Sequence, residues 1–186
     1  MDYKIIRKEN QKESSWAGGV SKELYIFPDG STLNSPFNFR VSTATINKGA
    51  YTFTHFNNYK RLLILLKGHI KLEIDSNEYL LNPMSHIFFS GDSNTKSVAE
   101  EDSEDFNLIF KEDVELLTFH ITDKNLSGEI LSNKAINIFY NLENTKHIYI
   151  NNNEYLLESG DTAIVCGNNF KVEGEGKGIV LSLNIK

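Results

Sequence analysis

An eight-residue segment occurs twice in this chain. Ile74-Asp75-Ser76-Asn77-Glu78-Tyr79-Leu80-Leu81 returns 76 residues later as Ile150-Asn151-Asn152-Asn153-Glu154-Tyr155-Leu156-Leu157. In both copies a polar run of turn formers stands between apolar residues, the pattern of a strand, a tight hairpin turn and a returning strand. A Gly-Asp pair follows each copy, Gly91-Asp92 after the first and Gly160-Asp161 after the second. A duplicated sheet unit accounts for this order. Shared hairpin chemistry is the competing account, and both stand at this point.

The remainder of the chain supplies strands rather than helices. Only three prolines interrupt it, and short β-branched and aromatic runs recur without alanine-rich stretches of 3.6-residue period. Strands are predicted at residues 23–27, 37–46, 51–56, 61–66, 70–74, 86–89, 106–110 and 114–121, then at 136–141, 147–150, 161–165, 170–172 and 179–185. The turns Lys67-Gly68-His69 and Asp75-Ser76-Asn77 suit antiparallel hairpins. A stretch rich in turn formers at residues 122–133 reads as a linker. The expected fold is therefore all-β: two antiparallel β-sandwich units, residues 1–121 and 122–186, packed into one compact body.

Charge and cysteine content exclude several functions. A formal net charge of −6, with the acidic run Glu100, Glu101, Asp102, Glu104 and Asp105, opposes binding to a phosphate backbone, so no nucleic-acid partner is expected. The single cysteine, Cys166, rules out an intramolecular disulfide and a thiolate cluster within one chain. Flanked by apolar residues, it reads as an inert buried thiol. No stretch is long and apolar enough to span a bilayer, and the first residues lack a signal-peptide core. A cytoplasmic protein with no membrane partner is expected.

Residues fit for chemistry gather in the first half. Gly49, His55, Asn57, Arg61 and Gly68 have the spacing of the first cupin motif, a glycine turn followed by His-x-His, a glutamate and a closing glycine. The glycines are in place, but Asn57 stands where the second histidine belongs and Arg61 near the glutamate position. A guanidinium does not coordinate metal, so no metal and no cofactor are expected. An arginine directed into a β-sandwich must be paired or must meet an anion. Period-two alternation in Phe37-Asn38-Phe39-Arg40-Val41-Ser42-Thr43-Ala44 sets Phe37, Phe39 and Val41 on one face and Arg40, Ser42 and Ala44 on the other. If the second face lines a cavity, Arg40 and Ser42 make a carboxylate-sized site; if it meets water, Arg40 is a surface charge. Asp105 and Asn107 alternate with Phe106, Leu108 and Phe110 in the same way and could line that cavity; alternatively Asp105 pairs with a nearby cation or simply ends the acidic loop. His55 is open to two readings, a satisfied, partly buried histidine or a proton-sensitive ligand contact. Trp16 before Gly18-Gly19 is a core aromatic or part of the site.

These motifs resemble those of the HutD/Ves family. Trp16-Ala-Gly-Gly-Val-Ser-Lys-Glu-Leu-Tyr-Ile-Phe-Pro28 is similar to its first signature, Arg40-x-Ser42-x-Ala44 to its second, Arg61-Leu-Leu-Ile-Leu-Leu-Lys-Gly68 to its third, and Asp105-Phe106-Asn107 to its fourth. Ser21 replaces a usual threonine, and Thr54-His55-Phe56-Asn57-Asn58 departs from the family pattern, so His55 has no support from it. The resemblance implies a bicupin, that is a double cupin, without the usual metal and with a polar pocket in its N-terminal half. It also implies a regulatory role in histidine utilisation or stress response through a small acidic metabolite.

Three functions follow as expectations. The first is a metal-independent binding module for a small anionic metabolite, with Arg40 and Arg61 as anion partners, Ser21, Ser42 and Asn107 orienting it, and Asp105, His55 and Trp16 completing the site. The second is an isomerase or hydrolase in which His55 or Asp105 moves a proton while an arginine holds the substrate. The sequence offers this second reading no nucleophile paired with a base, which leaves binding without turnover as the favoured expectation. The third is a homodimerisation scaffold, because sheet edges must be covered.

Overall fold

The computed structural model describes residues 3–127, 135–167 and 170–185. Half of the expected linker, residues 128–133, lies outside the described residues. The chain begins with β1 (Tyr3–Ile6) and a 3-10 turn at Lys8–Asn10. It continues through β2 (Lys12–Trp16), β3 (Gly19–Phe27), β4 (Phe39–Ile46), β5 (Gly49–Thr52), β6 (Tyr59–Lys67), β7 (Ile70–Ile74), β8 (Asn77–Leu81), β9 (His86–Ser90), β10 (Thr95–Ala99) and β11 (Ser103–Lys111). Then come β12 (Val114–Thr122), β13 (Leu126–Ser127), β14 (Ile136–Asn141), β15 (Lys146–Ile150), β16 (Asn153–Leu157), β17 (Thr162–Cys166), β18 (Phe170–Glu173) and β19 (Gly178–Ile185). No helix among the described residues is long and apolar enough to cross a membrane.

Two units result. The N-terminal unit, Lys12–Glu112, holds a six-stranded sheet of order β2-β3-β4-β11-β6-β9 and a four-stranded sheet of order β5-β10-β7-β8. The C-terminal unit takes the segments up to Gln11 and from Asp113 onward, with sheets of order β1-β17-β14-β19-β12 and β13-β18-β15-β16. Adding eight to every strand number in β4-β11-β6-β9 and β5-β10-β7-β8 gives β12-β19-β14-β17 and β13-β18-β15-β16. Eight strands recurring in one order are what duplication produces, and hairpin chemistry alone does not dictate them. The repeated hairpins match in detail: Asp75 and Ser76 have φ of 47° and 70°, Asn151 and Asn152 φ of 50° and 64°. Positive φ at both central residues is the backbone of the two-residue turn whose twist fits paired strands.

The units divide elsewhere than at residue 122. β12 pairs with β19 from Val114↔Ile185 to Thr122↔Gly178, and β1 pairs with β17. Backbone pairing, not the density of turn formers, assigns both strands to the C-terminal unit. β2 and β10, which sequence patterning missed, are rich in Lys, Ser and Thr. β10 turns Thr95, Ser97 and Ala99 inward, so small polar residues do there what Val and Ile do elsewhere. β5 stops at Thr52, and residues 53–58 form a loop instead of the predicted strand. Cys166, expected to be buried, is half-buried at the end of β17.

In the N-terminal unit, Ile46, Leu63, Leu65, Ile70, Leu72 and Ile74 pack between the two sheets. Along β6, alternation puts Arg61 on the same face as Leu63 and Leu65. Leu62 and Ile64, on the opposite face, are also fully buried. The interior of this unit is thus apolar toward one end and polar toward the other. In the C-terminal unit, Phe139, Ile148, Ile150, Leu157, Val165 and Phe170 fill the corresponding interior with apolar side chains.

Candidate functional site

The polar end of the N-terminal unit encloses a cavity of about 520 Å3. All eight residues singled out from the sequence line it: Trp16, Ser21, Arg40, Ser42, His55, Arg61, Asp105 and Asn107. β4 contributes Arg40, Ser42 and Ala44, so the face left undecided by alternation is the cavity face. β11 contributes Asp105, Asn107 and Ile109, and the edge strand β2 adds Ser14 and Ser15. Phe37 also lines the cavity, away from Phe39 and Val41. It precedes the first residue of β4, so strand alternation does not reach it.

Arg40, 4% exposed, is held from two sides. Its Nε donates to Glu23 Oε2 at 3.0 Å and its Nη1 to Ser42 Oγ at 2.9 Å, leaving Nη2 outside both contacts. Glu23 is the residue sequence reasoning missed. Period two puts it on the face of Ser21, and an inward arginine needs a counter-charge, so reading Ser21 into the site should have brought Glu23 along.

Arg61, 7% exposed, is held differently. Its Nη1 donates to the Thr54 carbonyl at 3.3 Å and its Nη2 to Asn107 Oδ1 at 3.2 Å, while its buried Nε has no hydrogen-bond partner. Phe89, Phe53 and Phe56 surround the guanidinium at 4.9, 5.2 and 5.7 Å from their ring centroids. Cation–π attraction offsets part of the cost of burying this charge. Burial still lowers its pKa to about 10, against the attraction of Asp105.

Asn107 links Arg61 to Asp105. With its Oδ1 committed to Arg61, its Nδ2 donates to Asp105 Oδ1 at 2.6 Å. Asp105 is fully buried, and desolvation raises its pKa to about 7 in spite of Asn107, Arg61 and the Ala44 backbone N–H. The site therefore holds a carboxyl group that titrates near neutrality, two guanidiniums and a ring of hydroxyls.

The loop at residues 53–58 closes one side. Phe53 N donates to the Thr95 carbonyl at 2.9 Å, Phe56 N to the Gly91 carbonyl at 2.9 Å, and Gly91 N to the Tyr59 carbonyl at 2.7 Å. His55 on this loop is exposed. Trp16 satisfies both of its readings: it lines the cavity, and it packs edge-on against Phe53 with Nε1 donating to the Thr45 carbonyl at 3.2 Å. A Cβ on Gly18 would lie 2.3 Å from the indole ring, which explains the small residue there.

The donor set does not fit a divalent cation. Two buried guanidiniums repel one, His55 is at the rim, and among the described residues no three His, Cys, Asp or Glu side chains come together.

Comparison with known proteins follows the same lines. The family model described as HutD matches residues 8–182. No curated protein matches the sequence. Among solved structures, the conserved protein of unknown function PA5104 from Pseudomonas aeruginosa PAO1 superposes with a TM-score of 0.85 at 19% identity, covering 99% of this chain and 100% of that one. HutD from Pseudomonas fluorescens SBW25, in a formate condition, gives 0.81 at 21% identity, covering 99% of each chain. A cupin 2 conserved barrel domain protein from Leptotrichia buccalis gives 0.61 at 16% identity, covering 98% of this chain and 96% of that one. At these identities the likeness is one of fold, and that fold is the cupin.

Proposed function

The chain belongs to the HutD family, and from that premise we propose that it is a cytoplasmic, metal-independent binding protein for a small carboxylate, with a regulatory role in histidine utilisation or stress response. One observation carries this reading: Arg40 and Arg61 both line one polar cavity, although each is less than one-tenth exposed. Burying two guanidiniums is costly, and an anionic ligand held by their planar forks offsets that cost. The aromatic wall of Phe37, Phe53, Phe56 and Tyr59 suits the carbon skeleton of such an acid, as in most small-molecule sites.

The test is a thermal-shift screen of formylglutamate, urocanate, glutamate and formate, followed by titration of the best hit into wild type, Arg40→Lys and Arg40→Ala. Loss of the guanidinium should weaken binding by roughly 1.5–3 kcal/mol, the range for hydrogen bonds to charged groups. Arg40→Lys should also bind more weakly, because an ammonium keeps the charge and loses the planar fork. Folded Arg40→Ala that binds as tightly as wild type would rule out this site.

A second reading, an isomerase or hydrolase, draws on Asp105, a buried carboxyl with a pKa near neutrality beside an anion clamp. NMR monitoring of each screening hit for conversion during prolonged incubation decides between binding and turnover.

A further inference from the structure

Resting on the reading of this cavity as a carboxylate site, we infer that the anion enters together with a proton taken from solvent, and that Asp105 is the group that receives it.

Charge balance carries the argument. Four charged groups are built around the cavity. Arg40 is neutralised directly, its Nε 3.0 Å from Glu23 Oε2. Arg61 touches no carboxylate; its counter-charge is Asp105, one step away through Asn107 at 3.2 and 2.6 Å. Two cations and two carboxylates sum to zero. A docked carboxylate adds one negative charge to a space walled by aromatic rings, where an uncompensated charge is strongly opposed. One proton restores neutrality.

Asp105 is better placed to accept it than any other group near the site. The charged and titratable groups around it are Arg61 and Tyr59 on β6, Arg40 on β4, Glu23 on β3, His55 on the loop after β5 and Glu104 on its own strand. Glu23 is already engaged in an ion pair with Arg40 Nε at 3.0 Å. The Tyr59 hydroxyl donates to the Phe37 carbonyl at 2.7 Å. His55 is exposed at the rim, where water already solvates it. Asp105 alone is buried with a neutral amide as its direct side-chain partner.

Protonation there keeps the network intact. The Asn107 amide donates to Asp105 Oδ1, which accepts in either state when the proton sits on Oδ2. The neutral acid releases Arg61 from its counter-charge, so the guanidinium turns its full field on the ligand. Burial has already brought Asp105 to a pKa of about 7, so the exchange falls in the physiological range. No covalent bond changes: one carboxylate and one proton enter, and both leave on release.

The probe is formate, small enough to reach either guanidinium and ionised throughout pH 6–8. With only the protonated site competent, wild-type affinity should fall roughly tenfold between pH 6 and pH 8. Calorimetry at pH 8 in two buffers of different ionisation enthalpy should show uptake of close to one proton per formate. Asp105→Asn keeps an acceptor for Asn107 without the charge; it should bind formate equally well at both pH values and take up no proton. Formate binding by wild type that is independent of pH and proton-neutral overturns the inference and leaves the binding site standing. PH dependence that disappears in His55→Gln overturns it too, assigning the proton to the rim. No formate binding by wild type at either pH defeats both the inference and the reading beneath it. The wild-type measurements decide even where the variant does not fold.

Discussion

Asp105 is a carboxyl group whose burial opposes its charge and whose nearest cation is one amide away. Its pKa is raised from 3.8 to about 7 on folding. Between those values the folded chain holds a proton that the unfolded chain releases, so stability falls as pH rises. The contribution is complete below the unfolded pKa and lost once pH passes the folded one. Asp105→Asn removes this dependence. At pH 8 the variant should be more stable than wild type by on the order of a few kcal/mol, and near pH 4 the difference should vanish. Urea unfolding of both proteins at several pH values across this range measures it, and a constant difference would contradict the shift. At this scale alternation paired Arg40 with Ser42 and Asp105 with Asn107 on shared faces, and left open whether those faces met a cavity or water. Glu23 was missed although period two on β3 places it with Ser21, because its role shows only once Arg40 is known to point inward beside it.

Among the strands, the Gly-Asp pair of each repeat has a definite task. In the N-terminal unit a Cβ on Gly91 would lie 2.2 Å from the Phe56 carbonyl and 3.0 Å from that of Tyr59. Both are backbone atoms that cannot swing aside. Gly91→Ala must therefore push out the loop that carries Thr54 and His55, and it should cost roughly 1–3 kcal/mol, as overpacking commonly does. Gly30→Ala is the control, because nothing lies within 4 Å of its added Cβ; its φ of +87° leaves only the ordinary backbone penalty. Melting temperatures of the two variants give the comparison, and equal losses would remove the special role of Gly91. In the second copy Asp161 accepts from Arg7 Nη1 at 2.7 Å, Lys8 N at 2.9 Å and Glu158 N at 3.0 Å. The hairpins and the apolar strands were legible because turn residues and β-branched runs are local signals. β1, β2 and β10 were not, since edge and small-residue strands form through partners distant in sequence. The length of β5 was misread for a similar reason: Phe53 and Phe56 are apolar because they surround Arg61, not because they continue a strand.

The molecule uses one architecture twice and gives the copies different interiors. Eight strands in the same order surround a polar cavity in one unit and an apolar cluster around Phe139 in the other. At the 76-residue offset of the repeat the counterpart of Arg61 is Asn137, a buried amide that accepts from Ser182 Oγ at 2.8 Å, and the counterpart of Leu63 is Phe139. Truncating Phe139, 1% exposed, should cost roughly 3–5 kcal/mol through lost burial and the void left behind. Below its unfolding transition Phe139→Ala should retain the formate affinity of wild type, because the cavity is lined from the N-terminal unit alone. Titration at a temperature where both proteins are folded checks this, and a large loss of affinity would show the two interiors to be energetically coupled.

The pairing of β1 with β17 also bears on how the polypeptide is made. Arg7 and Asp161 are separated by 154 positions. At a ribosomal rate of roughly 5–20 residues per second, β1 waits about 8–30 s for its partner strand to be synthesised. Once residue 112 has been made, Lys12–Glu112 has all of its own strands, while the segment preceding it still has none to pair with. β1, made before the strands of Lys12–Glu112, is thus placed after them, and it remains open to chaperones and proteases while the unit that follows it takes shape.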